Sequence, residues 1–408
     1  MIHLISIAVF ACTLDHCIQV LPIAAFYDPQ SSVSVNTLAE LASHKNHRVR
    51  LRCCKMLSYF LIYLPDRYDH QQRLLPYVLS FIHDDSNVGM SEVQEEALQC
   101  IEKCGLQYED EHPDEVIERR QFGVDGEDTI DYNNSSNLPQ PFTARPSLGA
   151  RLFVRANCSR FFLAMLNELS HWRDETRKRS AELLLILTVY CEEHLTKDFQ
   201  HTLKSIAKAI SVEKSSSQAG NSTVILDTIN KVLRLMATYV DPSAYLPLVC
   251  PRVCGDNASA TSNSEDGSHS ERTRSNYAII LSSLIEGTPL HRLLPHWIRL
   301  ASLLSNCDCI GSFVGTQARH DSLTALIAHI EKVSSQGDVE RFISYFADKG
   351  NMAEFQSVLS SSAQALTDLF PTDTADCTDA AIRDDAKKVQ ECLASIEKLK
   401  IATTQSLL

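Results

Sequence analysis

The residues best suited to chemistry stand closest together in "SHWRDETRKRS" at 170–180, where Trp172 precedes the cations Arg173, Arg177, Lys178 and Arg179. Four cations in seven positions would suit a negatively charged partner through guanidinium and ammonium contacts. They would equally suit the solvated outer face of an amphipathic helix, the usual place of a charge run. Of the 14 cysteines, only Cys250 with Cys254 and Cys307 with Cys309 are close enough to share a task. A zinc site takes about four ligands, commonly from two paired knuckles, and neither couple is followed by a second pair or by histidines at ligand spacing. His44 and His47 flank a helix start with no cysteine or carboxylate near them in sequence. The chain carries no Gly-rich phosphate loop, nucleophile elbow, His-Glu-x-x-His or calcium loop, and "GSFVG" at 311 has two glycines but no lysine. No set of ionisable residues can be assigned to acid and base, so the expectation is a protein without catalytic residues, cofactor or metal.

Bulk properties narrow the class further. The 408 residues are 44% apolar and 22% charged, with 13 glycines and 14 prolines, which suits a folded protein of long helices with few tight turns. The formal charge of −13 is local: 16 Asp and Glu stand against 3 Lys and Arg between Asp84 and Asp131, a difference of −13. From Arg145 to Ile210 there are 11 cations against 7 anions. No basic stripe with interleaved aromatics is present, so no nucleic acid is expected. Cys53, Cys54, Cys100 and Cys191 fall on helical apolar patterns, as free thiols do in a reducing, cytoplasmic setting. "LISIAVFAC" at 4–12 resembles the apolar part of a signal peptide, but no Lys or Arg occurs before Lys45 and nine residues cannot cross a bilayer. It reads either as such a peptide or as the tail of a buried helix whose preceding partner is missing; no membrane association is expected.

The elements that must position the cationic stretch repeat. "VRLRCCKML" from Val49 has a β-branched residue, an arginine, small residues at places five and six, and apolar residues at eight and nine. The same template fits "VQEEALQCI" from Val93, "TRKRSAELL" from Thr176, "VILDTINKV" from Val224, "TRSNYAIIL" from Thr273 and "ARHDSLTAL" from Ala318. The starts are 44, 83, 48, 49 and 45 residues apart, the 83 being one period plus an insertion. Each copy is an amphipathic helix preceded by another apolar helix, and three of the preceding helices carry a Leu-Pro step that kinks them, at 75–76, 246–247 and 294–295. A bent helix, a short turn and a straight helix at this period predict an all-α fold, a HEAT-repeat α-solenoid of antiparallel helix pairs in a right-handed superhelix.

On that frame, residues 1–106 are HEAT units with the first incomplete, 107–144 an acidic loop insertion with one helical turn around Val116–Phe122, and 145–251 further units. Residues 252–274 are a disordered linker, 275–332 more units, and 333–408 C-terminal helices that cap the array. Arg50, Arg177, Arg274 and Arg319 occupy the arginine place of the template, where HEAT arrays commonly form a ladder with aspartates such as Asp84, Asp85 and Asp174 before the second helix; Gln94 and Ile225 break it. Arg173, Lys178 and Arg179 are left as a solvated face. Trp172 is either tucked under the array or offered to a partner.

The stretches "GLQYEDE" from Gly105, "RPSLGARLFVRAN" from Arg145 and "LNELSHWRDETRKRSAELLLILTVYCEEHL" from Leu166 resemble the HEAT-repeat dynein axonemal assembly factors, also called the HEAT repeat-containing protein 2 family. "LAELASHKNHRVRLR" at Leu38 and "LPDRYDHQQRLLP" at Leu64 look like the unit preceding them in that family. The resemblance covers roughly residues 36 to 330, and family members extend further toward the N-terminus. It implies a cytoplasmic, non-catalytic scaffold for preassembly of axonemal dynein arms. The partners it implies are axonemal dynein chains, heavy or intermediate, with general chaperones and other dynein assembly factors. Second helices line the concave face of HEAT arrays generally, so Arg52, Lys55, Trp172, Arg173, Lys178 and Arg179 are the expected protein-binding residues. A scaffold for nuclear transport or phosphatase complexes is the alternative.

Overall fold

The computed structural model describes residues 37–84, 91–122, 138–215, 222–254, 271–305, 324–332, 339–369 and 380–406, and every extended element among them is a helix. The chain divides into two compact units, Met1–His194 and Leu195–Leu408.

The first unit contains α1 (Thr37–Ala42), α2 (His47–Tyr63), α3 (Arg67–Phe81), α4 (Glu92–Glu111), α5 (Pro113–Phe122), α6 (Leu148–Asn157), α7 (Ser159–Glu168) and α8 (Asp174–Cys191). Three starts are fixed by short polar side chains that accept an otherwise unpaired amide: Asn46 from Arg48, Ser91 from Gln94, and Ser147 from Ala150. Gln94, standing where the template has arginine, returns its side chain to the Ser91 amide and completes a capping box. Cys53, Cys54, Leu57, Phe60 and Leu61 form the buried stripe of α2, and Val93, Ala97, Cys100, Ile101 and Cys104 that of α4. The free thiols Cys53, Cys54, Cys100, Cys104, Cys158 and Cys191 are all buried there, behaving as small hydrophobes.

Helix α4 packs on α2 and α6. The backbones of α4 and α6 come close together: a Cβ on Gly105 would lie 2.2 Å from the Ala150 amide nitrogen and one on Gly149 would lie 2.2 Å from the Gly105 carbonyl oxygen. Only two glycines facing each other let the backbones meet. Side chains of α4 tie its neighbours: Glu109 accepts from the Gly149 amide at 2.7 Å, Glu102 from the Ser147 amide at 3.2 Å, and Gln107 donates to the Ile62 carbonyl at 3.2 Å.

These contacts alter the expectation for the acidic stretch. Its first residues, 107–111, continue α4, and Pro113–Phe122 is a complete ten-residue helix, α5, rather than one turn in a loop. The sequence pattern hid this because Gln107 and Glu109 are polar yet face neighbouring backbone. Proline at the first position of α5 needs no amide partner, and Val116 is buried beneath it. The remainder of the stretch up to residue 137 lies outside the described residues.

The second unit contains α9 (Phe199–Ser215), α10 (Ser222–Tyr239), α11 (Pro242–Cys254), α12 (Glu271–Gly287), α13 (Leu290–Leu293), α14 (Trp297–Ser305), helical turns at 324–332, and α15 (Val339–Asp348), α16 (Met352–Leu369) and α17 (Ala380–Ser406). Helices α10 and α12 pack together around Gly287, where a Cβ would fall 2.0 Å from the Arg234 carbonyl oxygen. Of the three Leu-Pro steps, Pro76 lies within α3 and Pro247 within α11, while Leu294–His296 becomes a 3-10 turn separating α13 from α14. The segment expected as a linker at 252–274 is helical at both ends, through Cys254 and from Glu271; its middle lies outside the described residues.

Candidate protein-docking surface

The cationic stretch begins at a turn that occurs twice in the first unit. In "SHKNHRVR" at 43–50 and "SHWRDETR" at 170–177 the histidine folds back on its own turn. His44 Nδ1 accepts from the Asn46 amide and His171 Nδ1 from the Arg173 amide, each at 3.1 Å. The arginine six residues later closes the turn from the helix side. Arg50 Nη1 donates to the His44 and Lys45 carbonyls at 2.7 and 3.2 Å, and Arg177 Nη1 to the His171 and Trp172 carbonyls at 2.9 and 3.3 Å. The arginine place of the template is thus first a clamp on the loop that precedes its helix.

The arginines expected to form a ladder differ in their partners. Arg50 forks onto Asp84 at 2.5 and 3.1 Å, linking α2 to the turn after α3. Arg177, 2% exposed, bonds Asp174 at 2.8 Å three residues away, within one helix rather than between units. Arg274 donates to the Val253 carbonyl at 3.0 Å. Arg319 and Asp85 lie outside the described residues. Ser91 caps α4, and Asp84, in the preceding turn, receives Arg50.

With Arg177 consumed by the clamp, the residues after it divide by exposure. Arg52 and Arg179 stand two places beyond the clamping arginine in their respective helices, and both are exposed, as is Lys55 one turn further along α2. Lys178 is half-buried and reaches Glu182 at 3.7 Å, a carboxylate that also faces His83 at 3.6 Å. Trp172 is 75% exposed, so the structure places it on the surface and not under the array. Arg173 lies over its ring at 4.6 Å, and His171 leans on it with ring centroids 5.7 Å apart. A large flat apolar ring, held by a cation and flanked by exposed cations, is the composition found at the energetic centres of protein interfaces.

A second cluster, not anticipated from the sequence, lies at the opposite end of α8. Glu192, fully buried, ends α8 with φ 48°, the left-handed region that side chains avoid. It receives Arg145 at 2.7 and 2.8 Å, Arg151 at 2.9 Å and Arg155 at 2.8 Å. Arg155 also bonds Glu193 at 3.1 Å and the Tyr190 carbonyl at 3.2 Å. Three guanidiniums on one carboxylate fasten α6 to the end of α8 and hold the unfavourable backbone in place.

The family-like stretches therefore have defined tasks. "GLQYEDE" and "LGAR" meet at the Gly105–Gly149 crossing, "LGARLFVR" and "CEEHL" at Glu192, and "SHWRDETR" makes the clamped turn. Among the described residues no group of three or more His, Cys, Asp or Glu gathers to hold a metal, and no helix is long and apolar enough to cross a membrane.

Paired helices at a period near 45 residues, with tied turns and an exposed aromatic and cationic face, define a helical-repeat protein of the α-solenoid class. Comparison with known families makes this specific. The model of the dynein axonemal assembly factor 5 HEAT-repeat domain matches residues 137–343, just over half of the chain, and a second model, described as dynein axonemal assembly factor 5-like TPR repeats, matches residues 28–119. The chain belongs to the dynein axonemal assembly factor 5 family. TPR and HEAT units are both antiparallel helix pairs, and the spacing of 44 between Val49 and Val93 lies in the HEAT range rather than at the 34 of TPR units. The mouse protein named dynein axonemal assembly factor 5 is 26% identical over 281 residues, 67% of this chain and 28% of the relative. The human protein of that name is 24% identical over 258 residues, 63% and 26% of the two chains, and the Drosophila one 27% over 161 residues, 40% and 17%. The matched region spans between about a sixth and 28% of the length of these relatives.

Proposed function

We propose that this protein is a non-catalytic scaffold for the cytoplasmic preassembly of axonemal dynein arms, acting for cilium or flagellum motility. Membership of the dynein axonemal assembly factor 5 family carries this reading, because the relatives' names state the task. A helical array suits it: a large, partly folded client is held by many weak contacts along stacked helices. The client-contacting residues in this reading are Arg52, Lys55, Arg173, Lys178 and Arg179, with Trp172 as the anchor that fills a client pocket. In this reading the array is interrupted between α5 and α6 and between α11 and α12, and α15, α16 and α17 cap it. The clients are axonemal dynein heavy or intermediate chains, with general chaperones and other assembly factors beside them.

Proximity labelling in ciliated cells tests the reading. Axonemal dynein chains and chaperones are the expected neighbours. Recovery of a transport GTPase or a phosphatase subunit without dynein chains would transfer the scaffold to nuclear transport or phosphatase assembly. A melting-temperature rise on adding nucleotides or metal ions would contradict the non-catalytic, cofactor-free part.

A further inference from the structure

The first unit contains a cavity of about 190 Å³ between the start of α3, the end of α4 and the end of α6. It is below the roughly 300–1,000 Å³ typical of sites for drug-sized molecules, so its natural occupant is a single side chain. Its lining includes the buried Phe153, Tyr68, and the stacked rings of Tyr108 and His112, 4.0 Å apart. Its lining carries the donors of Arg67 and the amide of Gln71, and two acceptor atoms remain beside them. Glu111 takes Arg67 at 2.9 Å and the Tyr68 hydroxyl at 2.5 Å on the same oxygen, Oε1, leaving Oε2 without a partner among the described residues. Asn157, only 7% exposed, donates from Nδ2 to the Phe153 carbonyl at 2.9 Å, and its Oδ1 is likewise without a partner among the described residues.

Acceptors and aromatic faces together call for a flat cation rich in donors. A guanidinium has five N–H donors, no acceptor, and a face that stacks on aromatic rings, whereas an ammonium is a hydrated point charge that does not stack. The chain itself demonstrates the fit at the rim, where the Arg67 guanidinium lies 4.4 Å over the Tyr68 ring while bonding Glu111. The surroundings attract a second cation: Glu109, Asp110, Glu111, Asp114, Glu115 and Glu118 follow one another with no Lys or Arg between 104 and 118.

We propose that this cavity receives an arginine side chain presented by a partner protein, stacked between Tyr68 and the Tyr108–His112 pair and bonded to Glu111 Oε2 and Asn157 Oδ1. The site is separate from the Trp172 surface, and its occupancy does not depend on the client being a dynein chain.

The test is a titration of the whole chain with acetyl-Gly-Arg-Gly-amide, followed by saturation-transfer difference NMR. The same peptide with citrulline, the neutral isostere, and with lysine are the comparison arms. Saturable binding of the arginine peptide is expected, with the citrulline and lysine peptides and the Glu111→Gln variant each about tenfold weaker. Ala156→Phe, which fills the cavity from an exposed position without touching the Glu111 bonds, should abolish binding with an unchanged melting temperature. The proposal is overturned if the arginine peptide does not saturate, if citrulline or lysine binds equally well, or if the Ala156→Phe protein binds as the wild type does.

Discussion

His329 offers a prediction whose size follows from its surroundings. Its imidazole is fully buried, stacked on Trp297 with centroids 4.8 Å apart, in a core completed by Phe342, Phe346 and Phe355. Among the described residues neither ring nitrogen has a hydrogen-bond partner, and the same holds for Trp297 Nε1. Burial alone pushes the imidazole from its ordinary 6.5 down to about 3, because the apolar walls penalise the charged form. The folded protein therefore keeps His329 neutral while the unfolded chain takes up a proton below pH 6.5. Stability tied to this residue is complete above that value and is lost progressively as the pH falls toward 3. The full loss is about 5 kcal/mol, and the part lost between pH 7.5 and pH 5 is about 2 kcal/mol. His329→Phe keeps the stacked ring and removes both the titration and the two unpaired nitrogens, each of which costs about 1–3 kcal/mol. Urea unfolding of wild type and His329→Phe at pH 7.5 and 5.0 isolates the effect, since all other groups titrate alike in both. The variant should be at least as stable at pH 7.5, and its advantage should grow by about 2 kcal/mol at pH 5. An advantage that stays constant between the two pH values would refute the burial argument.

Three further outcomes follow from the first unit. Gly105→Ala, whose Cβ would meet the Ala150 backbone at 2.2 Å, should lower stability by about 3 kcal/mol in thermal unfolding, although the same change in an open helix stabilises. Glu192→Gln leaves Arg145, Arg151 and Arg155 facing a neutral amide and should cost about 3–5 kcal/mol, read as an early loss of α8 protection in hydrogen exchange. Trp172→Ala removes a ring that is 75% exposed; the unfolding free energy from urea titration should change by less than about 0.5 kcal/mol, while client recovery falls as for the loss of an interface anchor.

The repeating part of the fold was readable because it is local. Apolar residues at helical spacing recur every 44 to 49 residues apart from the one interval of 83, with an arginine at place two in four of the six copies, and the copies from Val49, Val93, Thr176, Val224 and Thr273 fall on described helices. The contacts that join helices were not readable, because no spacing rule connects their members. Glu192 lies 47, 41 and 37 residues from the arginines it receives. The meeting of Gly105 with Gly149 leaves two isolated glycines in sequence, neither marking a turn. The clamped turn lay between these cases: the match of "SHKNHRVR" to "SHWRDETR" is visible once both arginines are known to bond backward. Helix α5 was expected only as one turn around Val116–Phe122, because its charged surface resembles a loop and Val116, the buried residue among its described side chains, gives no period. The His329 core draws on residues 297, 329, 342, 346 and 355, and a lone histidine in an apolar run carries no sign of lacking a partner.

In the proposed scaffold the exposed cations of α2 and α8 hold a client while the clamping arginines hold the fold. Arg52→Glu, Lys55→Glu and Arg179→Glu combined, introduced into the protein in ciliated cells, separate the two roles. Co-precipitated axonemal dynein chains should fall severalfold while the melting temperature of the purified protein stays that of the wild type. Undiminished dynein recovery, or loss of recovery together with loss of the fold, would contradict the claim.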